Sequence, residues 1–287
     1  MPIPLTARLL AVARHTYAIT VTGPVPATPD SAQIEYLRQP DGFAAGTAKI
    51  DAALVGETAG EIIVGFRGTL PPNSPDHLQA IRDWASDLDA LLVKDPEWPG
   101  RVHQGFLGAL EVLWPEMKPA ITALVEAKPN KPIYITGHSK GGPVANLAAF
   151  RLRKTFPNAP IFVCTFAGAR PGNPQFVTAY DAAVTHSVRY EYADDIVPHL
   201  PPSAEFFTMF RHIPAIADTI KKLNVGYGSP GELHFIDWDE KLVGDSPTLR
   251  FERFAHLAEL MVTFGFERIV ADHSIMPGSG YAKGVGG

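Results

Sequence analysis

The sequence predicts an α/β fold, with a mostly parallel central sheet and helices on both faces. Two observations carry this reading. Short β-branched and aromatic runs alternate with amphipathic stretches along the 287 residues, the pattern that strand–helix–strand units leave in a chain. No internal repeat or long linker interrupts that alternation, and the Pro-rich piece "TLPPNSPDH" (69–77) is too short to separate domains. One domain over residues 1–287 is expected.

The elements follow in order. "MPIPLTARLLAVARHTYAIT" (1–20) reads as a first helix; it lacks the cationic start, apolar stretch and small-residue site of a signal peptide. "KIDAALVGE" (49–57) and "EIIVGFRG" (61–68) read as consecutive strands with a turn at Thr58–Gly60. Residues 101–128 have helical periodicity, with Leu107, Leu110, Leu113 and Trp114 on one side. Pro115 and Pro119 should open a second helical piece or bend the first. "PIYITG" (132–137) is a buried strand, and "GPVANLAAFRLRKTF" (142–156) a helix with a small-residue face. "PIFVCTFAG" (160–168) and "SVRYEYA" (187–193) are strands around the helix "NPQFVTAYDAAV" (173–184). "ELHFIDWDE" (232–240) suits a later strand and 248–264 a closing helix.

Composition excludes several classes. The net charge is −5 and no basic block stands out, so nucleic acid is not an expected partner. No window holds the roughly 18 uninterrupted apolar residues of a membrane-spanning helix. Ten histidines are scattered without paired ligand spacing, so no metal is expected. The single cysteine, Cys164, lies inside "IFVCTF" and reads as a buried small hydrophobe. One cysteine permits no intrachain disulfide, and nothing in the sequence fixes a compartment.

"ITGHSKGG" (135–142) is where the chemistry concentrates. Gly137-x-Ser139-x-Gly141, placed between a strand and a helix, is a nucleophile elbow. The serine takes a strained backbone conformation at a sharp turn. Side chains two positions before and after it would strike the neighbouring strand and helix, so glycine occupies both. The hydroxyl then sits at a helix N-terminus that favours developing negative charge. The plain alternative is a helix-capping serine in a glycine-rich loop.

A serine hydroxyl needs a histidine to take its proton and a carboxylate to hold that histidine. On such a scaffold the chain order is serine, acid, histidine, which removes His15, His77, His103 and His138. His234 and His256 fall in strand and helix patterns and read as structural. His199 and His212 stay open. His273, in the small and polar loop "ADHSIMPGSGY", is favoured because a loop lets the imidazole reach the serine. For the acid, "YEYADDIVPHLPP" (190–202) ends a strand on Asp194 and Asp195, and chemistry alone leaves the pair ambiguous.

These residues, taken with their surroundings, resemble the class 3 (fungal-type) lipases of the α/β-hydrolase superfamily. The resemblance rests on "GFRGT" (65–69), "IRDWASDL" (81–88), "VHQGFLGAL" (102–110), "GHSKGG" (137–142), "TFAGARPGNPQF" (165–176) and "DIVPHLPP" (195–202), in that order. It implies an α/β-hydrolase fold with a helical lid over about residues 70–88. It picks Asp195, which immediately precedes the I-V-P segment, over Asp194, and it matches Asp272-His273 to the C-terminal histidine. The implied catalytic set is Ser139, Asp195 and His273, with the backbone N–H groups of Thr69 and Lys140 as the oxyanion hole and no cofactor. Lys140 departs from the usual apolar residue; its ammonium could pair with a carboxylate on the sheet edge or reach solvent. About ten extra residues, "LPPNSPDHLQA", separate Thr69 from Ile81 and predict a longer lid.

Within that lid, Leu78, Ile81, Trp84 or Ala85, and Leu88 recur at helical spacing and form one apolar stripe. The stripe either packs on the protein body or covers an apolar cleft that opens at a lipid interface. The expected activity is ester hydrolysis on triacylglycerol or other acyl esters. Phospholipase A1 and feruloyl esterase activities use the same triad in the family that the sequence resembles. A catalytically silent binding module is the reading from another class, disfavoured because candidates for all three catalytic residues are present.

Overall fold

The structure, a computed structural model, describes residues 4–46, 49–69, 91–210 and 226–286. The lid stripe (Leu78, Ile81, Trp84, Leu88) and His212 therefore lie outside the described residues.

Helix α1 (Leu5–His15) leads to β1 (Gly23–Pro24), the short α2 (Pro29–Ile34), β2 (Asp41–Ala45), β3 (Asp51–Glu57) and β4 (Ile62–Phe66). A two-stranded ribbon, β5 (Leu92–Val93) with β6 (Val102–His103), precedes the long helix α3 (Gln104–Ala127). Then come β7 (Ile133–His138), α4 (Gly141–Thr155), β8 (Ile161–Phe166), α5 (Pro174–Ala183) and β9 (Ser187–Tyr192). Helix α6 (Ala204–Phe210), β10 (Glu232–Ile236), β11 (Leu242–Val243), α7 (Pro247–Val262), α8 (Phe266–Ala271) and α9 (Gly280–Gly284) complete the described chain.

The main sheet runs β1-β2-β3-β4-β7-β8-β9-β10-β11. Its centre, β4 through β10, is parallel. The β1–β4 side and β11 are antiparallel additions. Parallel strands need both faces covered, which explains their near-continuous apolar runs. Successive residues feed opposite cores. Ala53 and Val55 of β3 pack with α3 and α4 on one side, while Ala52 and Leu54 pack with Val12 of α1 on the other. Cys164 and Phe166 join Leu10 of α1 and Tyr281 of α9 in a further cluster. Cys164 is buried, as its apolar run predicts.

Among the described residues, the strands and helices expected from periodicity are present, with one difference. Helix α3 continues through both Pro115 and Pro119, and no second helix opens there. The two prolines stand four residues apart, hence on one face, and both are exposed. The carbonyls they leave without a donor, those of the likewise exposed Glu111 and of Pro115, face water, so the helix can absorb the loss. The opposite stripe of Phe106, Leu110, Leu113, Met117 and Ile121 stays buried and holds the helix to the sheet. Among the described residues no helix is long and apolar enough to cross a membrane.

Candidate active site

The site forms where the parallel strands end, the edge at which open α/β sheets place their ligands. Ser139 follows β7, Asp195 follows β9, and His273 follows α8.

Ser139 occupies the left-handed region, at φ 55°, a conformation a non-glycine residue holds only where its surroundings impose it. The surroundings here are tight. A Cβ on Gly137 would lie 2.2 Å from the carbonyl oxygen of Gly141, and one on Gly141 would lie 2.2 Å from that of Phe66. The first collision is with the start of α4 and the second with β4, so both glycines of the motif are sterically required. The Ser139 N–H donates to the Phe166 carbonyl at 3.1 Å, and the Gly142 N–H donates to the Ser139 carbonyl at 3.0 Å. The turn is thus pinned to β8 and to its own helix.

Asp195 and His273 are brought together. The His273 Nδ1 lies 3.0 Å from each carboxylate oxygen of Asp195. With its Nδ1 proton engaged by the carboxylate, a neutral imidazole leaves Nε2 as the basic nitrogen. The Tyr281 hydroxyl donates to Asp195 Oδ2 at 2.8 Å, and the Val197 N–H donates to Oδ1 at 3.0 Å. Burial and the adjacent carboxylate raise the Tyr281 phenol well above its usual range, so it stays a donor. Its oxygen also accepts the Tyr192 N–H at 3.1 Å. Sequence reasoning did not find Tyr281; the only signal was an aromatic residue after a serine near the C-terminus, which carries no chemistry without the fold.

Asp194 points elsewhere. Its carboxylate pairs with the Arg268 Nε at 3.1 Å. The ambiguity between the two aspartates is therefore resolved geometrically, with Asp195 alone of the pair hydrogen-bonded to His273.

His138 links His273 to the serine turn. The Tyr17 hydroxyl lies 2.8 Å from His138 Nδ1, and His138 Nε2 lies 3.0 Å from the His273 carbonyl oxygen. The carbonyl can only accept, so Nε2 carries the proton and Nδ1 accepts from Tyr17. Burial first, and then the neighbouring His273, lower the His138 pKa far below the usual histidine value, keeping the ring neutral. The two imidazoles stand 4.7 Å apart between ring centres. Chain order excludes His138 as the base, and the structure gives it a positioning contact instead.

The residues expected to form the oxyanion hole flank this turn. A Cβ on Gly68 would approach the Ser139 Cβ to 3.0 Å, so the strand end leading into the exposed Thr69 abuts the serine. Lys140 stands immediately before α4 and makes no side-chain capping bond to it. Of the two fates open to its ammonium, the structure gives ion pairing: Nζ donates to Asp51 Oδ1, at the start of β3, at 2.5 Å.

Four further histidines among the described residues have structural settings. His103 Nδ1 accepts the N–H groups of Gly105 and Phe106 and caps α3. His234 contacts the Tyr190 hydroxyl at 3.1 Å. His256 stacks on Trp238, with ring centres 4.1 Å apart. His199 is buried, with Arg253 Nη2 3.4 Å from its Nε2 and Arg170 bonded to its carbonyl.

The family Lipase (class 3) matches residues 63–205. A secreted mono- and diacylglycerol lipase 1 of Fusarium solani is 33% identical over 143 residues, 50% of this chain and 40% of that protein. Phospholipase A(1) DAD1, chloroplastic, of Arabidopsis thaliana is 28% identical over 159 residues, 49% of this chain and 34% of that protein. The match to the Fusarium lipase, like that to a lipase of Rhizomucor miehei, spans about 40% of the relative's length. Among solved structures, the Rhizomucor miehei triacylglyceride lipase superposes with a TM-score of 0.61 at 23% identity, covering 80% of this chain and 78% of that one. That likeness carries the fold, and another structure of the set is described as a triacylglycerol lipase whose catalytic centre is a serine protease triad, at the same TM-score and identity. With the elbow, the acid loop and the strands between them inside the matched span, this chain belongs to the class 3 lipase family and has the α/β-hydrolase fold.

Proposed function

We propose that this protein is a serine carboxylic-ester hydrolase, a lipase that cleaves triacylglycerol or other acyl esters through an acyl-enzyme. Ser139 attacks the ester carbonyl while His273 Nε2 takes its proton. Asp195, held by Tyr281 and the Val197 N–H, keeps the ring in the required tautomer and stabilises the imidazolium that forms. The oxyanion is met by the backbone N–H groups of Thr69 and Lys140, each such donor typically contributing about 3 kcal/mol. His273 then returns the proton to the leaving alcohol, and water repeats the sequence to free the acid.

The observation that carries this reading is the bond of His273 Nδ1 to both oxygens of Asp195, on a histidine whose ring and carbonyl contact the residue preceding Ser139. A phospholipase A1 specificity is the second reading, supported by the Arabidopsis relative. Transient contact with a lipid surface is part of the proposal, on the strength of the apolar stripe at Leu78, Ile81 and Trp84 and of lipase kinship. One domain over 1–287 is proposed with it.

Wild type and Ser139→Ala are compared on short and long p-nitrophenyl esters, emulsified triglyceride, phosphatidylcholine and methyl ferulate, alongside fluorophosphonate labelling. Labelling of wild type but not of the variant, with loss of ester turnover, is expected. Undiminished turnover by Ser139→Ala overturns the proposal, and an unlabelled, inactive wild type favours a binding module. Rates that rise smoothly through the substrate's solubility limit remove the lipid-interface contact.

A further inference from the structure

Beside the acid loop, away from the triad, a cavity of about 220 Å³ is lined by four arginines, Arg170, Arg189, Arg250 and Arg253. The carboxylates do not balance them. Glu191, on the same face of β9 as Arg189, accepts from the Arg189 Nε at 2.9 Å and also pairs with Arg253. Arg250 is matched by Asp245 at 2.5 Å. That leaves Arg170 with neutral partners: the carbonyls of His199 and Pro201, at 3.0 and 3.4 Å, and the Ser229 hydroxyl. The one other carboxylate of the lining, Glu205, is exposed on α6, at the rim.

Two buried donors of this lining are unmatched. Arg253 is 5% exposed, and its Nε has no hydrogen-bond partner. His199 is 4% exposed; Arg253 Nη2 approaches its Nε2 at 3.4 Å, which places the ring proton on Nδ1, and that atom also has no partner. A buried donor left without an acceptor is costly, so two in one cavity call for an acceptor. Burial lowers the Arg170 pKa to about 10; Glu191 opposes the fall, and the neighbouring Arg189 and Arg253 add to it.

We propose that this cavity binds a phosphate-class oxoanion, free or carried on a lipid headgroup. The donors come from separate elements: the loop after β8, strand β9, the acid loop and α7. A tetrahedral anion presents acceptors in several directions at once, and arginine pairs with it through charge-assisted bonds. The space exceeds the roughly 30 Å³ share of one water. The site is independent of the hydrolytic reading, since it uses none of Ser139, Asp195 or His273.

Calorimetric titration of the full chain with inorganic phosphate at fixed ionic strength tests this. Saturable binding with a dissociation constant below about 1 mM is expected. Arg189→Gln should weaken it at least about tenfold, and Glu205→Gln should tighten it severalfold by removing a like charge from the rim. Glu205 is exposed, so its variant reports even if Arg189→Gln folds poorly. A parallel titration with dihexanoyl phosphatidic acid below its micelle concentration separates the sources: binding much tighter than that of phosphate assigns the headgroup, and equal binding assigns the free ion. No saturable phosphate binding up to about 20 mM, or binding that Glu205→Gln leaves unchanged, overturns the proposal.

Discussion

Asp272 Oδ2 accepts the backbone N–H of Asp194 at 3.1 Å. The residue before His273 is thereby bonded to the residue before Asp195, and the two loops that supply base and acid are held in register. Arg268 extends the strap, with its Nε 3.1 Å from Asp194 Oδ2 and 3.8 Å from Asp272 Oδ2. Burial pushes the Asp272 carboxyl up to about 7; the Asp194 carboxylate adds to the rise, and the Asp194 N–H and Arg268 oppose it.

The sign of the resulting pH dependence follows from linkage. Between the ordinary value of 3.8 and about 7, the folded protein holds a proton here that the unfolded chain has lost. Stability from this group is therefore full below the lower value, falls as pH rises through the window, and is flat above it. Denaturant unfolding at pH 5 and pH 8 should show Asp272→Asn losing less stability than wild type across that step, by on the order of 2 kcal/mol. Parallel losses in the two proteins would refute this. Asparagine keeps an acceptor for the Asp194 N–H, so the strap itself should survive.

Tyr281→Phe removes a buried donor from Asp195 and an acceptor from the Tyr192 N–H. A stability loss of about 1–3 kcal/mol is expected from unfolding curves. On the proposed hydrolysis, kcat should fall about tenfold with little change in KM, because the carboxylate that holds His273 becomes less well fixed. A change confined to KM would mean that Tyr281 acts on substrate binding instead.

The glycine requirement can be tested by contrast. Gly141→Ala places a methyl 2.2 Å from the Phe66 carbonyl oxygen and should destabilise by about 3 kcal/mol or prevent folding. Gly108→Ala, in α3 with nothing within 4 Å, should stabilise by about 0.5–1 kcal/mol. Melting temperatures that move together in the two variants would contradict the steric account of the elbow.

Lys140→Met breaks the pair with Asp51, whose side chain is 10% exposed. About 2 kcal/mol of stability should be lost, and adding Asp51→Asn should recover much of it, since the cost lies in the carboxylate left alone. Ester turnover per folded molecule should stay within about threefold of wild type, because the oxyanion donor at this position is the backbone N–H. A loss of about a hundredfold or more would give the ammonium itself a part in the reaction.

Local pattern by itself determined the strand and helix order, the elbow at Ser139 and the candidacy of His273. Strand-length apolar runs and a Gly-x-Ser-x-Gly turn are short-range features, written in adjacent residues. Family order then chose Asp195 from an adjacent pair that chemistry left open. The uninterrupted helix through Pro115 and Pro119 was not legible, because what it depends on is which face of the helix meets water. The same holds for the side-chain partner of Lys140, 89 residues away at Asp51, and for Tyr281 on Asp195, 86 residues away. Those contacts, and the arginine-lined cavity, exist only once β3, β9 and the C-terminal helices are packed together: hydrogen bonds and ion pairs act over a few ångströms, and only the tertiary fold decides which distant residues come within that range.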